Sequence, residues 1–291
     1  MIKIVIALNK SHYKKGKENM NKKLIGLLMA FTLANSSLLT GCAGNQSSGA
    51  ASSDDLLSQI QAKGTITFAM EGQWAPWTYH DESGELVGYD TEVGKAIAEK
   101  LGVEAEFVEG EWDGLFTGLD TGRYDAIING VEITPERSEK YDFTTPYAYI
   151  RTGLVVADDN TDILTFEDLA GKQTSNSLGS TYADLAAEYG ATVQNVDTLS
   201  ETIDMITSGR VDATLNAEVS FYDYLKEHPD APIKIVALTE DASYVAIPLR
   251  QGEETDSLRE AIDQAIEELS ADGTLTALSE KYFGSDISQA E

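Results

Sequence analysis

The chain has 291 residues, 42% of them hydrophobic, with 21 Lys and Arg against 49 Asp and Glu, a formal net charge of −28. That apolar content excludes a disordered tail and suffices for one large core or, more comfortably, two lobes. So acidic a surface repels nucleic acid and removes that class of partner.

Residues 1–41 read as a secretion signal. Lys14, Lys15, Lys17, Lys22 and Lys23 precede an apolar run from Leu24 to Leu33, too short for a stable membrane span, and Leu39-Thr40-Gly41-Cys42 follows. Those last four residues resemble a bacterial lipoprotein signal, which implies lipidation of Cys42 on sulfur and a mature chain that starts there. Met20 begins a more ordinary signal than Met1 does. Loss of residues 1–41 takes seven of the 21 basic and one of the 49 acidic residues, leaving 14 and 48, a net charge of −34. With its single cysteine lipidated, the mature chain forms no internal disulfide and relies on packing. Residues 42–55 are the expected tether: Ala43 to Ser53 offers nothing to bury and reaches roughly 18 Å as a coil. No second hydrophobic segment follows, so the mature chain is expected to be soluble but tethered.

Leu56 to Ala62 reads as a short helix and Thr65 to Met70 as the first strand. Glu71 to Trp77 follows at that strand's carboxyl end, where ligands sit in open α/β sheets. Trp74 and Trp77 bracket a proline expected to hold Ala75 extended; either one of them faces a cleft or both belong to the core. His80 to Gly88 reads as a polar hairpin, and Asp90 as the N-cap of a helix that keeps Val93, Ile97 and Leu101 on one face until Gly102. Glu104 to Val108 alternates as a strand, and Trp112 to Leu119 is helical. Strands alternating with helices imply a mainly parallel sheet covered on both faces.

Tyr124 to Asn129 reads as a buried strand, followed by a polar loop to Ile133. Thr134-Pro135-Glu136 has the form of a helix start. Arg137 then falls in the first turn, where a cation opposes the helix dipole and needs an anion. Two anions fit: a protein acid such as Glu132 or Glu136, or a carboxylate or phosphate from outside, which a guanidinium and free N–H groups hold in bidentate fashion.

Gly122 to Asn129, GRYDAIIN, recurs as Gly209 to Asn216, GRVDATLN, with five of eight positions identical at a spacing of 87. Both copies follow an apolar helix and lead through a polar loop into another, which suggests two similar lobes, each with an Asn at a strand's carboxyl end. Between them, Ile150 to Ala157 is an extended run, Lys172 to Leu178 is strand-like, and Gly179-Ser180-Thr181 opens the helix Tyr182 to Tyr189. Ser180 and Thr181 suit either a ligand's charged end or a simple helix cap. Glu218 to Glu227 reads as helix, Ile233 to Leu238 as strand, and Tyr244 to Leu249 as a second extended run. Ile150 to Ala157 and Tyr244 to Leu249 would be two crossings between lobes, and two crossings make a hinge. Thr255 to Ala271 and Gly273 to Phe283 are amphipathic helices expected to return to the first lobe.

Trp112 to Tyr147 (WDGLFTGLDTGRYDAIINGVEITPERSEKYDFTTPY), Gly84 to Val103 (GELVGYDTEVGKAIAEKLGV) and Asp272 to Gly284 (DGTLTALSEKYFG) resemble the polar-amino-acid solute-binding proteins, family 3, of ABC importers. The resemblance covers nearly all of Gly64 to Gly284, and within the family the chain looks most like cystine-binding members. It implies an α/β, two-lobed periplasmic-binding-protein fold of type 2. The lobes would be 56–150 with 243–291, and 151–242. By position, Arg137 matches the arginine that clamps the ligand's α-carboxylate, helped by the backbone of Gly130 and Glu132. Thr181, after Ser180, matches the second lobe's contribution to that carboxylate. Trp74 matches the aromatic residue that stacks on the ligand, Trp112 faces it, and Glu71 matches a polar position that meets the ligand side chain. Asn129 and Asn216 complete the expected ligand set.

One position departs. Where many members have an aspartate for the ligand's ammonium, this chain has Ala217, so Asn216, Glu218 or Glu132 must substitute, or the ligand is not an ordinary α-amino acid. The resemblance implies a monomeric, lipid-anchored receptor on the outer face of the bacterial membrane that hands a small amino acid, cystine among the candidates, to an ABC permease with its ATPase. It implies no cofactor and no metal. Two other classes stay open: a cyclohexadienyl dehydratase-like enzyme, for which the sequence has no catalytic motif, and a sensory module for a separate partner.

Overall fold

A computed structural model describes residues 55–290. The signal segment, Cys42 and all of the tether except Asp55 lie outside the described residues. The Asp55 carboxylate caps helix α1 (Leu56–Lys63), accepting the Ser58 N–H at 2.9 Å. Strand β1 (Thr65–Met70) leads to β2 (Gln73–Trp74), β3 (Thr78–His80) and β4 (Leu86–Val87), a small antiparallel sheet that contains the expected hairpin. The Ala75–Pro76 peptide bond is cis.

Helix α2 (Tyr89–Leu101) buries Val93 and Ile97 as the spacing predicts, but its cap is Gly88 and not Asp90. The carbonyls of Pro76 and Trp77 already accept the N–H groups of Tyr89 (3.0 Å) and Asp90 (2.9 Å), so the first-turn donors need no side-chain cap. Asp90 is instead fully buried and accepts the Tyr147 hydroxyl at 2.7 Å.

Strand β5 (Glu104–Glu109), helix α3 (Trp112–Asp120) and strand β6 (Ala126–Ile127) complete the first sheet, in which β1 lies between β5 and β6, all parallel. Helix α4 (Pro135–Ser138) is a single turn capped by Thr134, whose hydroxyl accepts the Arg137 N–H at 3.1 Å. One turn has little macrodipole, so the dipole argument for an anion at Arg137 fails; the need for one arises from burial. The chain continues through β7 (Tyr141–Phe143), β8 (Ala148–Ile150), β9 (Thr152–Ala157), a 3₁₀ turn at Phe166–Leu169, β10 (Gln173–Asn176), α5 (Thr181–Glu188) and β11 (Thr192–Asn195). It then forms α6 (Leu199–Thr207), β12 (Ala213–Ala217), α7 (Glu218–Glu227), β13 (Ile233–Leu238), β14 (Ser243–Val245), β15 (Pro248–Arg250), α8 (Glu253–Ala271) and α9 (Thr274–Phe283).

The second sheet has the order β11-β10-β12-β9-β13, parallel from β11 to β12 and antiparallel from β12 to β13. Ile150 to Ala157 is therefore not one crossing. Ile150 ends β8, which pairs with β14, whereas β9 is an interior strand with Leu154, Val155 and Val156 fully buried. A strand apolar on both faces belongs inside a sheet. The chain passes between the sheets at Arg151, and returns between Leu238 and Ser243. Tyr244 to Leu249 contributes to β14 and β15, which pair with β8 and β7.

Leu258, Ile262, Ala265, Ile266 and Leu269 of α8 are buried in one cluster with Ile66 and Phe68 of β1. The carboxyl-terminal helices thus close the core of the first lobe, each fully buried Leu or Ile stabilising by roughly 1.5–3 kcal/mol. Both sheets belong to one compact unit. Among the described residues no helix is long and apolar enough to cross a membrane.

Candidate functional site

The carboxyl ends of β1 and β6 from the first sheet, and of β10 and β12 from the second, face a common crevice of about 550 Å³, open solvent included. All ten residues expected at a site line it, Glu71, Trp74, Trp112, Asn129, Gly130 and Glu132 among them. Arg137, Ser180, Thr181 and Asn216 are the other four. The structure places them together.

Beyond β6 the backbone turns at Gly130, φ +59°, where a Cβ would lie 3.5 Å from the Trp77 ring. A residue without a side chain takes that left-handed conformation most easily. Asn129, just before it, is tied to Glu71 twice: Asn129 Oδ1 accepts the Glu71 N–H at 2.8 Å, and Asn129 Nδ2 donates to Glu71 Oε2 at 2.7 Å. Glu71 is buried, and burial pushes its carboxyl up to about 7, opposed by the Asn129 hydrogen bond and reinforced by the charges of Glu111 and Asp197.

Glu132 is pinned by its backbone, which bridges to Val245, while Ile133 N–H donates to the Tyr244 carbonyl at 2.8 Å. Its carboxylate is buried, and Oε1 has no hydrogen-bond partner of ordinary geometry. Burial raises its pKa; the hydroxyls of Thr181, Ser243 and Tyr182 and the charge of Arg137 act the other way. Arg137 donates from Nη1 to the Glu132 carbonyl at 2.9 Å and from Nη2 to the Gly179 carbonyl of the second lobe at 3.2 Å. Its guanidinium lies 5.2 Å from the Trp112 ring centre and 5.6 Å from that of Phe116, within cation–π range. Among the described residues no carboxylate forms an ion pair with it; Glu136 pairs instead with Lys140 at 3.5 Å. Burial pulls the guanidinium below its usual pKa, and Glu132 is the foremost charge opposing that shift.

From the second lobe, Ser180 caps α5, its hydroxyl accepting the Ala183 N–H at 3.1 Å. The capping role and a place in the crevice therefore coexist. Asn216 Oδ1 accepts the Ala217 N–H at 2.8 Å. Glu218, one of three residues offered in place of the aspartate absent at Ala217, is not in the crevice. Arg151 holds it in bidentate fashion, Nε to Oε1 at 3.2 Å and Nη2 to Oε2 at 3.0 Å. Both tryptophans of the first loop line the crevice, yet Trp77 is also buried in the core and donates from Nε1 to Ser220 Oγ at 3.1 Å.

Besides Trp77, sequence reasoning missed Asn176, Ser177 and Tyr182 as lining residues. The signal for the first two was at hand: Lys172 to Leu178 reads as a strand, and its carboxyl end lies beside that of β12. Among the described residues no group of His, Cys, Asp and Glu could hold a metal.

The sequence pattern of the bacterial extracellular solute-binding proteins, family 3, matches residues 66–285. An L-cystine-binding protein of Bacillus subtilis (strain 168) is 36% identical over 274 residues, 93% of this chain and 100% of that one. An ancestral arginine-binding protein bound to arginine superposes with a TM-score of 0.71 at 38% identity, covering 76% of this chain and 99% of the other. The L-cystine solute receptor of Neisseria gonorrhoeae, in its unliganded open conformation, gives 0.56 at 41% identity, covering 81% and 99%. With the pattern spanning both sheets and the crevice between them, the chain belongs to the bacterial extracellular solute-binding proteins, family 3.

Proposed function

We propose that the crevice binds a small polar or sulfur-containing amino acid, cystine among the candidates, as a zwitterion between Arg137 and Glu132. One observation carries the reading: a partly buried guanidinium without a carboxylate ion pair stands beside a buried carboxylate whose Oε1 has no hydrogen-bond partner of ordinary geometry. Buried charges are tolerated when each is matched, and an α-carboxylate at Arg137 with an α-ammonium at Glu132 matches both. Ser180 and Thr181 complete the carboxylate end, Trp74 and Trp112 the flanks. Asn129 and Asn216 frame the crevice, and Glu71 meets the side chain.

The lobes, 56–150 with 243–291 and 151–242, close around the ligand by bending at the two crossings. The Arg137 bond to Gly179 across the crevice supports a closed arrangement. So does the higher score against the arginine-bound neighbour than against the open receptor at similar identity. Lipid on Cys42 holds the monomeric receptor at the outer face of the membrane, where the closed form docks on an ABC permease and its ATPase. The relatives that bind cystine support the ligand class. Their description as binding proteins and the absence of a catalytic motif speak against turnover.

A thermal-shift screen of amino acids, with calorimetry on the hits, tests the ligand. A true ligand at about a hundred times its Kd stabilises by roughly 2.7 kcal/mol; no shift with any amino acid would remove the reading. Fatty-acid labelling of cells that express the chain or its Cys42→Ala variant tests the anchor, and label persisting on the variant would contradict it.

A further inference from the structure

We infer that Asn176, the last residue of β10, is a ligand-binding residue whose Oδ1 accepts one N–H of the ligand's α-ammonium while Glu132 takes another from the opposite lobe. The inference rests on the amino-acid reading above and deepens it. Several buried polar side-chain atoms among the described residues lack a hydrogen-bond partner of ordinary geometry, and two of them belong to residues that line the crevice. They are Glu132 Oε1 in the first lobe and Asn176 Oδ1 in the second. Thr174 and Ser175, the other unpartnered residues of β10, do not line it.

Asn176 is only 3% exposed, and its amide has one orientation. Nδ2 donates to the Leu215 carbonyl at 2.6 Å and to Thr214 Oγ1 at 3.4 Å. Thr214 gives its own proton to the Ser175 carbonyl at 2.6 Å, so both partners of Nδ2 are acceptors and the amide oxygen cannot take the nitrogen's place. Oδ1 is left without a donor, and a buried acceptor in that state is destabilising. Two unpartnered acceptors, one from each lobe, match an ammonium group, which carries three N–H donors and no acceptor. The end of β12 offers less: Ala217 has no polar side chain, and Asn216 Oδ1 already accepts the Ala217 N–H at 2.8 Å. Charge agrees with this division. Arg137, Glu132 and a zwitterion sum to zero, whereas a second acid in the crevice would be a buried anion without a match. The neutral amide adds an acceptor without adding that anion. An ammonium held by both residues also ties the two lobes to each other.

Calorimetry on the purified full chain tests this, with each amino acid paired with its analogue lacking the α-amino group. Arginine is set against δ-guanidinovalerate, glutamine against glutaramate, and cystine against dithiodipropionate. At least one amino acid is expected to bind ten-fold or more tighter than its analogue. In Asn176→Leu, which keeps the bulk and removes the polar atoms, that preference should shrink at least five-fold, with the analogue's Kd changing by less than two-fold. Asn176→Asp keeps an oxygen at the same place, and there the preference should stay within two-fold of the wild type or rise. A preference untouched in Asn176→Leu, or equal weakening of both members of a pair, would make the residue a packing element only and overturn the inference while the amino-acid reading stands. If the leucine variant does not melt cooperatively, the aspartate variant decides: a preference kept or raised supports the inference, and a preference lost overturns it. Failure of every probe to bind the wild type would overturn both.

Discussion

Arg137 and Glu132 meet through main chain without forming an ion pair: Nη1 of the arginine donates to the glutamate's own carbonyl at 2.9 Å, while the glutamate's Oε1 has no hydrogen-bond partner of ordinary geometry. The pair is thus left with one positive and one negative end to offer. Glu132→Gln keeps the shape and removes the charge. A charged hydrogen bond contributes roughly 1.5–3 kcal/mol, so amino-acid affinity should fall about 10- to 100-fold by calorimetry. The unliganded protein should melt no lower than the wild type, because an unmatched buried acid has gone. Undiminished affinity would remove Glu132 from the ammonium site.

Asp90 makes stability depend on pH. The carboxyl is fully buried, takes the Tyr147 hydroxyl at 2.7 Å, and is pushed by burial from 3.8 up to about 7. A folded-state pKa above the unfolded value means stability fully present below about 3.8 and lost as pH rises through about 7. Between pH 5 and pH 8 this one group should cost about 3 kcal/mol at 1.36 kcal/mol per unit. Glu71 acts in the same direction. Urea unfolding at the two pH values should show a smaller difference in Asp90→Asn than in the wild type; an equal difference would assign the pH dependence elsewhere.

The Trp77 indole reaches from the first lobe to Ser220 at the start of α7, Nε1 to Oγ at 3.1 Å, with both residues buried. Ser220→Ala leaves that N–H unsatisfied, a penalty of about 1–3 kcal/mol, and should weaken the ligand's Kd several-fold by destabilising closure. Selectivity among amino acids should stay as it was. A change in the order of preferred ligands would show that the contact acts on the ligand directly.

The repeated octapeptide marks a structural equivalence. Asp125 accepts the Thr67 N–H on its carboxylate and donates its own N–H to the Thr67 carbonyl, at 2.8 and 2.9 Å. Asp212 does the same with Gln173, both at 2.8 Å. The glycines that open the two copies share φ +70°. In each lobe the aspartate ties the entry of one strand to its neighbour. Asp125→Ala and Asp212→Ala should each destabilise by about 1–3 kcal/mol; a loss confined to one of them would break the equivalence.

Where a local physical rule acts alone, the sequence reads well: Glu218–Glu227 and Ile233–Leu238 stand where their composition puts them. It reads poorly where another segment supplies what a local rule demands. Asp90 looks like a cap because nothing nearby in sequence shows that the carbonyls of Pro76 and Trp77 will satisfy that turn. Thr152–Ala157 looks like a crossing because burial on both faces is a property of its neighbours in the sheet. The ten lining residues were legible chiefly through resemblance, with strand ends and helix starts giving the same places. Tyr182 was not, since it enters the crevice from one residue inside a helix whose other buried positions face the core.

The account turns on Arg137 as the site of the ligand's carboxylate, and calorimetry on Arg137→Met with the best-binding amino acid tests that most directly. Breaking a buried charge pair costs about 3–5 kcal/mol, so the predicted result is a Kd weakened at least a hundred-fold in a protein that still melts cooperatively. A folded variant that binds within two-fold of the wild type would contradict it.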